Sequence, residues 1–219
     1  MNCVDNEQDR HGWRICIVGT GGQGVLTAAR SLCDVFVEWG HHVVSGQLHG
    51  MAQRGGSVQS TVIIDSGISP VIGRGRASCV LGFEPVETAR ALPFMSSCTV
   101  VYMNTAPVVP YVLGQRFASK EEGAEYPSVG GLVEHIRAVT HRVCTFDATK
   151  VAVEAGSAKA MNTVMLGCLL GAGLLPCPAE QFWHIIAERM PARMVKTNSE
   201  AYRRGAEFSR DSQSCESNV

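Results

Sequence analysis

No charge of either sign dominates this chain of 219 residues: 19 lysines and arginines stand against 20 aspartates and glutamates, a formal net charge of −1. That balance gives no basic surface for nucleic acid or anionic lipid, and neither partner is expected. Long hydrophobic runs are missing too. The longest, residues 164–175, is too short to span a bilayer and carries three glycines, so no membrane span is expected. Residues 1–13 are polar and charged, without an apolar stretch and small-residue cleavage site; the chain is therefore expected in the cytoplasm. Among nine cysteines no two have C-x-x-C spacing, and no Cys/His cluster has zinc-ligand spacing. No metal is expected on this chain, and an iron–sulfur cluster would have to come from another one. Cys16, Cys79, Cys98 and Cys144 sit inside apolar, strand-like runs and are expected as reduced core thiols. No repeat, low-complexity block or composition break marks a linker. One domain is expected over residues 14–210, between a polar extension at 1–13 and a polar tail at 211–219, with enough apolar residues for a sizeable core.

What is present alternates strand and helix. Residues 14–19 form a short apolar run ending in glycine; after the glycine turn, Val25, Ala28, Ala29, Leu32, Val35 and Phe36 recur at helical spacing. A short strand is expected at 42–46. Residues 57–65 (SVQSTVIID) form a strand by β-branched content, without a clean apolar face. Further strands are expected at 77–83, 98–104 and 142–146, with helices at 84–93 and 132–141. Continuous apolar runs such as CTVVYMN fit strands covered on both faces. The pattern predicts an α/β fold: a doubly wound, mostly parallel, Rossmann-like sheet. The C-terminal third has no convincing strand and is expected as three helices, a buried one at 159–173, an amphipathic one at 178–190 and a third at 195–209.

Two loops carry the chemistry. Gly19, Thr20, Gly21, Gly22, Gln23 and Gly24 follow the first strand and open a helix, which satisfies G-x-G-x-x-G in the context that gives it meaning. Glycines let the backbone approach a ligand, while free N–H groups and the helix dipole favour a phosphate. A tight turn with no ligand fits the same residues. A dinucleotide also needs an acidic residue after the second strand, and HHVVSGQLHG has none. NAD is thereby disfavoured; NADP or coenzyme A suits the loop. The second loop, HGMAQRGGS, places His49, Gly50, Gln53, Arg54, Gly55 and Gly56 directly after a strand, at the sheet edge where ligands collect in this architecture. It serves either a ligand or a partner subunit.

The strings IVGTGGQGV, LHGMAQRGGSVQS, VLGFEPVETARALP and NTVMLGCLLG, in this order and spacing, resemble the small (beta) subunit of the indolepyruvate ferredoxin oxidoreductases, the γ-type piece of the 2-oxoacid:ferredoxin oxidoreductase superfamily. The resemblance covers residues 13–205. Gln47 stands where an acidic residue would be expected. The resemblance implies an enzyme that oxidatively decarboxylates an aryl 2-oxoacid on thiamine diphosphate, reduces ferredoxin through iron–sulfur clusters and yields aryl-acetyl-CoA. Thiamine diphosphate and the clusters belong to the large subunit, through which ferredoxin is met. This chain has neither a cluster pattern nor a convincing thiamine signature, so it should be inactive alone, with coenzyme A at the glycine loop as its contribution.

For Arg54 the choices are a clamp on a carboxylate or phosphate and an ion pair across a subunit interface. His49 is a candidate acid or base, or a hydrogen-bonded structural residue. Glu84 and Pro85 match the family pattern and also suit a helix start. Asn162 and Asn198 match it as well, at positions where polar residues more often hold helices together. The helical third is either core or a subunit contact. Two rival functions remain: a free-standing nucleotide- or acyl-CoA-binding module, and a scaffolding subunit whose glycine loop binds nothing.

Overall fold

The computed structural model describes residues 12–49, 56–108 and 126–216, with His49 and residues 211–216 described by their backbone alone. Strands β1 (Trp13–Thr20), β2 (Val43–His49), β3 (Ser57–Ile64), β4 (Cys79–Gly82), β5 (Val100–Asn104) and β6 (Val143–Phe146) form one sheet in the order β2-β3-β1-β4-β5-β6. β1, β4, β5 and β6 are parallel neighbours, whereas β3 is antiparallel to both β1 and β2. The mostly parallel sheet expected from sequence is present, with one opposed strand inserted between β1 and β2.

Around the sheet lie α1 (Val25–Glu38), α2 (Pro85–Arg90), α3 (Val129–Arg137), α4 (Ala148–Glu154), α5 (Met161–Gly171), α6 (Ala179–Glu188) and α7 (Ala192–Glu216). Strand β1 feeds both layers. Ile15 and Ile17 enter a large core with α1 and the C-terminal helices, while Cys16 and Val18 enter a smaller one with Ala91, Met95 and Ile136. A strand covered on both faces needs no polar alternation, which explains its continuous apolar run. The six periodic residues of α1 are its buried face, and each large one contributes about 1.5–3 kcal/mol by leaving water. Helix α5 is buried nearly all round, as its apolar run from Val164 predicts.

Several expectations need correcting. Helix α4 was not anticipated; the third helix of the C-terminal part begins at Ala192 and runs to Glu216, past the expected end at 209. Strand β2 continues to His49, three residues beyond its expected end. Cys98 is exposed ahead of β5 rather than buried within it. Burial pushes the Cys16 thiol up to about 12 and the Cys177 thiol to about 11, and raises Cys79 and Cys168 as well. Thiolate is the reactive form, so Cys98 is expected to alkylate fastest of the described cysteines at pH 8. Peptide mapping after a brief iodoacetamide pulse checks this; equal labelling of Cys16 would contradict the burial. Among the described residues no helix is long and apolar enough to cross a membrane.

Candidate functional site

Strand β1 ends at Thr20, and the chain reverses through Gly21 and Gly22 into α1. Gly22 (φ 99°) and the N-cap Gly24 (φ 85°) hold backbone conformations that side chains with a Cβ rarely adopt. The turn is braced from within. Thr20 N–H donates to Gln23 Oε1 (2.7 Å), Gln23 Nε2 donates to the Phe83 carbonyl (2.9 Å), and Gly21 N–H donates to the Gly56 carbonyl (2.9 Å). Gln23, a candidate ligand by sequence, is thus a strut, with both ends of its amide engaged. The Gly21–Gly56 bond ties the glycine loop to the exit of HGMAQRGGS, so the two motif loops adjoin. No side chain caps α1, whose first intrahelical bond runs from Ala28 N–H to the Gly24 carbonyl. The N–H groups before it lack intrahelical partners and carry the positive end of the helix dipole.

Gly22, Gln23, Gly24 and Thr27 line a cavity of about 540 Å³ between the glycine loop, α1, the start of α5, α6 and α7. Lys159 is the one charged residue among the described residues of its lining. Asn162, in the first turn of α5, abuts the loop: a Cβ on Gly24 would lie 2.9 Å from its Nδ2. Thr163 and Asn198 line the wall but are joined to each other, Oγ1 to Oδ1 at 2.7 Å, and Asn198 Nδ2 donates to the Met194 carbonyl. Asn198 therefore joins α5 to α7, as its residue type suggested, while Asn162 faces the cavity. Trp183 stacks on Tyr202 with ring centroids 5.1 Å apart, and the Tyr202 hydroxyl donates to the Ala179 carbonyl, fixing α6 against α7. Lys159 and Trp183 escaped the sequence reading because no local pattern distinguishes them from ordinary helix-surface residues. Among the described residues no group of His, Cys, Asp or Glu is arranged to hold a metal.

The other side of the same sheet edge is acidic and closed. Glu84 is the N-cap of α2, accepting from Glu87 N–H at 2.9 Å, with Pro85 in the first turn. It also accepts from Val108 N–H and from the Tyr126 hydroxyl. Burial, and then the adjacent Glu84, hold the Tyr126 phenol above the usual range. Glu87 accepts from the Ser57 hydroxyl at 2.6 Å. Buried Asn104 was not anticipated: its Nδ2 donates to the Phe83 carbonyl and to Thr149, and its Oδ1 accepts from Ala106 and Ala148 N–H. The Phe83 carbonyl, shared by Gln23 and Asn104, links the ends of β1, β4 and β5. The Thr20 hydroxyl is buried without a partner among the described residues.

His49 closes β2 opposite Val58, and only its backbone is described. Gly50, Gln53, Arg54 and Gly55 lie outside the described residues. The sheet order adds a reason against a dinucleotide. The place beside β1 where an acidic residue would hold a ribose belongs to β3, running the opposite way, and β2 with Gln47 is one strand further out.

A family model described as pyruvate ferredoxin/flavodoxin oxidoreductase matches residues 14–208. Indolepyruvate oxidoreductase subunit IorB of Archaeoglobus fulgidus is 35% identical over 192 residues, 87% of this chain and 92% of that protein. Its counterpart in Methanothermobacter thermautotrophicus is 31% identical, with 88% and 95% covered. Among solved structures, the gamma subunit of a keto/oxoacid ferredoxin oxidoreductase from Geobacter sulfurreducens superposes with a TM-score of 0.62 at 20% identity, covering 91% of this chain and 99% of that one.

Proposed function

The chain belongs to the pyruvate ferredoxin/flavodoxin oxidoreductase family, and we infer that it is the small, non-catalytic subunit of an indolepyruvate-type ferredoxin oxidoreductase, active only within the assembled enzyme. The observation that carries this reading is the nearly end-to-end match to subunits named for indolepyruvate oxidoreductase. A chain matched along its length to subunits of a larger enzyme is better read as a subunit than as a free-standing nucleotide module. A large partner would hold thiamine diphosphate, which would supply the decarboxylation chemistry for an aryl 2-oxoacid, and the clusters that would pass electrons to ferredoxin. The complex works in the cytoplasm.

This chain contributes the coenzyme A side. The residues present fit that group: a cavity with one cation and no carboxylate among its described lining residues, bordered by Gly22, Gly24 and Thr27 at the uncapped start of α1, suits phosphates. Its task is to hold and orient the carrier with the thiol directed toward the partner. Asn104, Gln23 and the Phe83 carbonyl keep the loop rigid enough to do so. His49 and Arg54 serve the subunit interface or the substrate at its edge.

The test is co-expression with the large subunit, followed by coenzyme A-dependent reduction of a viologen dye by indolepyruvate, with each subunit assayed alone. Activity confined to the complex is the expected result. Full activity of the large subunit alone would overturn the subunit reading.

A further inference from the structure

The cavity beside the glycine loop has a polarity that its proposed occupant does not by itself dictate. Coenzyme A has two dissimilar ends, a thiol that reacts and a nucleotide that bears both a diphosphate and a 3′-phosphomonoester. Lys159 is the single charge among the described lining residues, it is exposed, and no described acid pairs with it. It directly precedes α5, whose N-cap Ala160 gives no side-chain cap. Gly24 and Asn162 bring the N-termini of α1 and α5 together at the same wall. Trp183 and Tyr202, already stacked on each other, line the same cavity, as do Met161, Met190, Met194 and Ile186. The first group of residues suits phosphates and the second a flat heterocycle.

Resting on the reading that this subunit carries coenzyme A, we propose that the cavity holds the nucleotide end of the carrier, and that Lys159 recognises the 3′-phosphomonoester. The charges separate the phosphates. A phosphomonoester approaches two negative charges near neutral pH, more than either phosphate of the diphosphate, so a full ammonium gains most there, while neutral amides of the glycine loop suffice for the diphosphate. The direction of the carrier follows. With its nucleotide end held among α1, α5, α6 and α7, the thiol arm leaves this chain for the partner, where the acyl group is formed.

The assembled two-subunit enzyme is assayed with coenzyme A and with dephospho-coenzyme A, which lacks only the 3′-phosphate. The unmodified enzyme is expected to show a KM for dephospho-coenzyme A about tenfold higher, the worth of one charge-assisted contact. In Lys159→Met the ratio of the two KM values falls toward one, and in Lys159→Arg it returns. A ratio near one in the unmodified enzyme, or an unchanged ratio in Lys159→Met, overturns the proposal. Gly22→Leu, which alters the loop itself, separates the two levels. If it raises the KM for coenzyme A while Lys159→Met leaves the ratio alone, the carrier is bound here and Lys159 does not read the 3′-phosphate. If neither variant moves either constant, the carrier is not held by this chain and both readings fall.

Discussion

Gly205→Val is expected to lower the melting temperature of the subunit by about 6–12 °C and to reduce the yield of assembled enzyme. Helices α5 and α7 meet backbone to backbone: a Cβ on Gly205 would lie 2.0 Å from the Val164 carbonyl oxygen, and one on Gly167 would lie 2.1 Å from that of Tyr202. Neither obstacle is a side-chain tip that can swing aside, so the helices must separate. Overfilling a packed interior costs about 1–3 kcal/mol when side chains can adjust. A backbone clash belongs at the upper end, about 3 kcal/mol, which for a chain of this size gives the stated shift. The crossing also carries the cavity wall, since Asn198 and Tyr202 belong to the same helix. Gly130→Ala is the control. Its added methyl meets nothing within 4 Å on α3, and alanine favours a helix over glycine, so its melting temperature should stay level or rise slightly. Thermal unfolding followed by circular dichroism compares the two; equal melting temperatures would mean that α5 and α7 do not cross this closely.

The same crossing shows where the sequence could be read and where it could not. That 159–173 forms a buried helix was legible, because the apolar run from Val164 onward leaves that helix no solvated face. Which helix lies against it was not, because a glycine that permits close approach looks in sequence like any other glycine. The inner face of α1 was legible down to its six residues, since period alone selects them. The place of β3 was not. Ser60 and Thr61, facing opposite sides, are both buried and donate to the carbonyls of Gly46 and, for Thr61, Pro70 as well, so the strand is covered on both faces and shows no alternation. Periodicity reports faces and never neighbours, hence the insertion between β1 and β2 left no trace. Helix α4 is short and rich in β-branched residues; its one signal was Asp147, whose carboxylate accepts from Lys150 N–H at 2.7 Å as an N-cap. At the site, the glycine loop was visible because its spacing is local. The cavity it borders was not, because Lys159, Asn162, Trp183 and Tyr202 converge from three segments that only the fold assembles.

Gly22 offers the sharpest separation of a binding subunit from a scaffolding one. It is exposed, and a Cβ placed on it meets nothing within 4 Å, so packing alone would tolerate any residue there. Its φ of 99° charges a conformational penalty of about 1–2 kcal/mol to any other residue, regardless of ligand. Gly22→Leu is therefore expected to lower the melting temperature by a few degrees under either reading. The readings part at the carrier. If phosphates approach the amides of Gly22 and the first turn of α1, a leucine side chain stands in their path, and the KM for coenzyme A in the assembled enzyme rises tenfold or more. A subunit that merely braces its partner shows the same loss of stability with an unchanged KM. Gly24→Ala adds an internal check. Its Cβ is directed at Asn162 rather than into open space, so it disturbs the junction of α1 with α5 as well as the loop, and it should cost more stability than Gly22→Leu. Steady-state titration of coenzyme A beside a melting curve for each variant reads both quantities. A KM that tracks the melting temperature across the pair would assign the effect to the fold, whereas a large rise in Gly22→Leu, the milder of the two in stability, would assign it to the site.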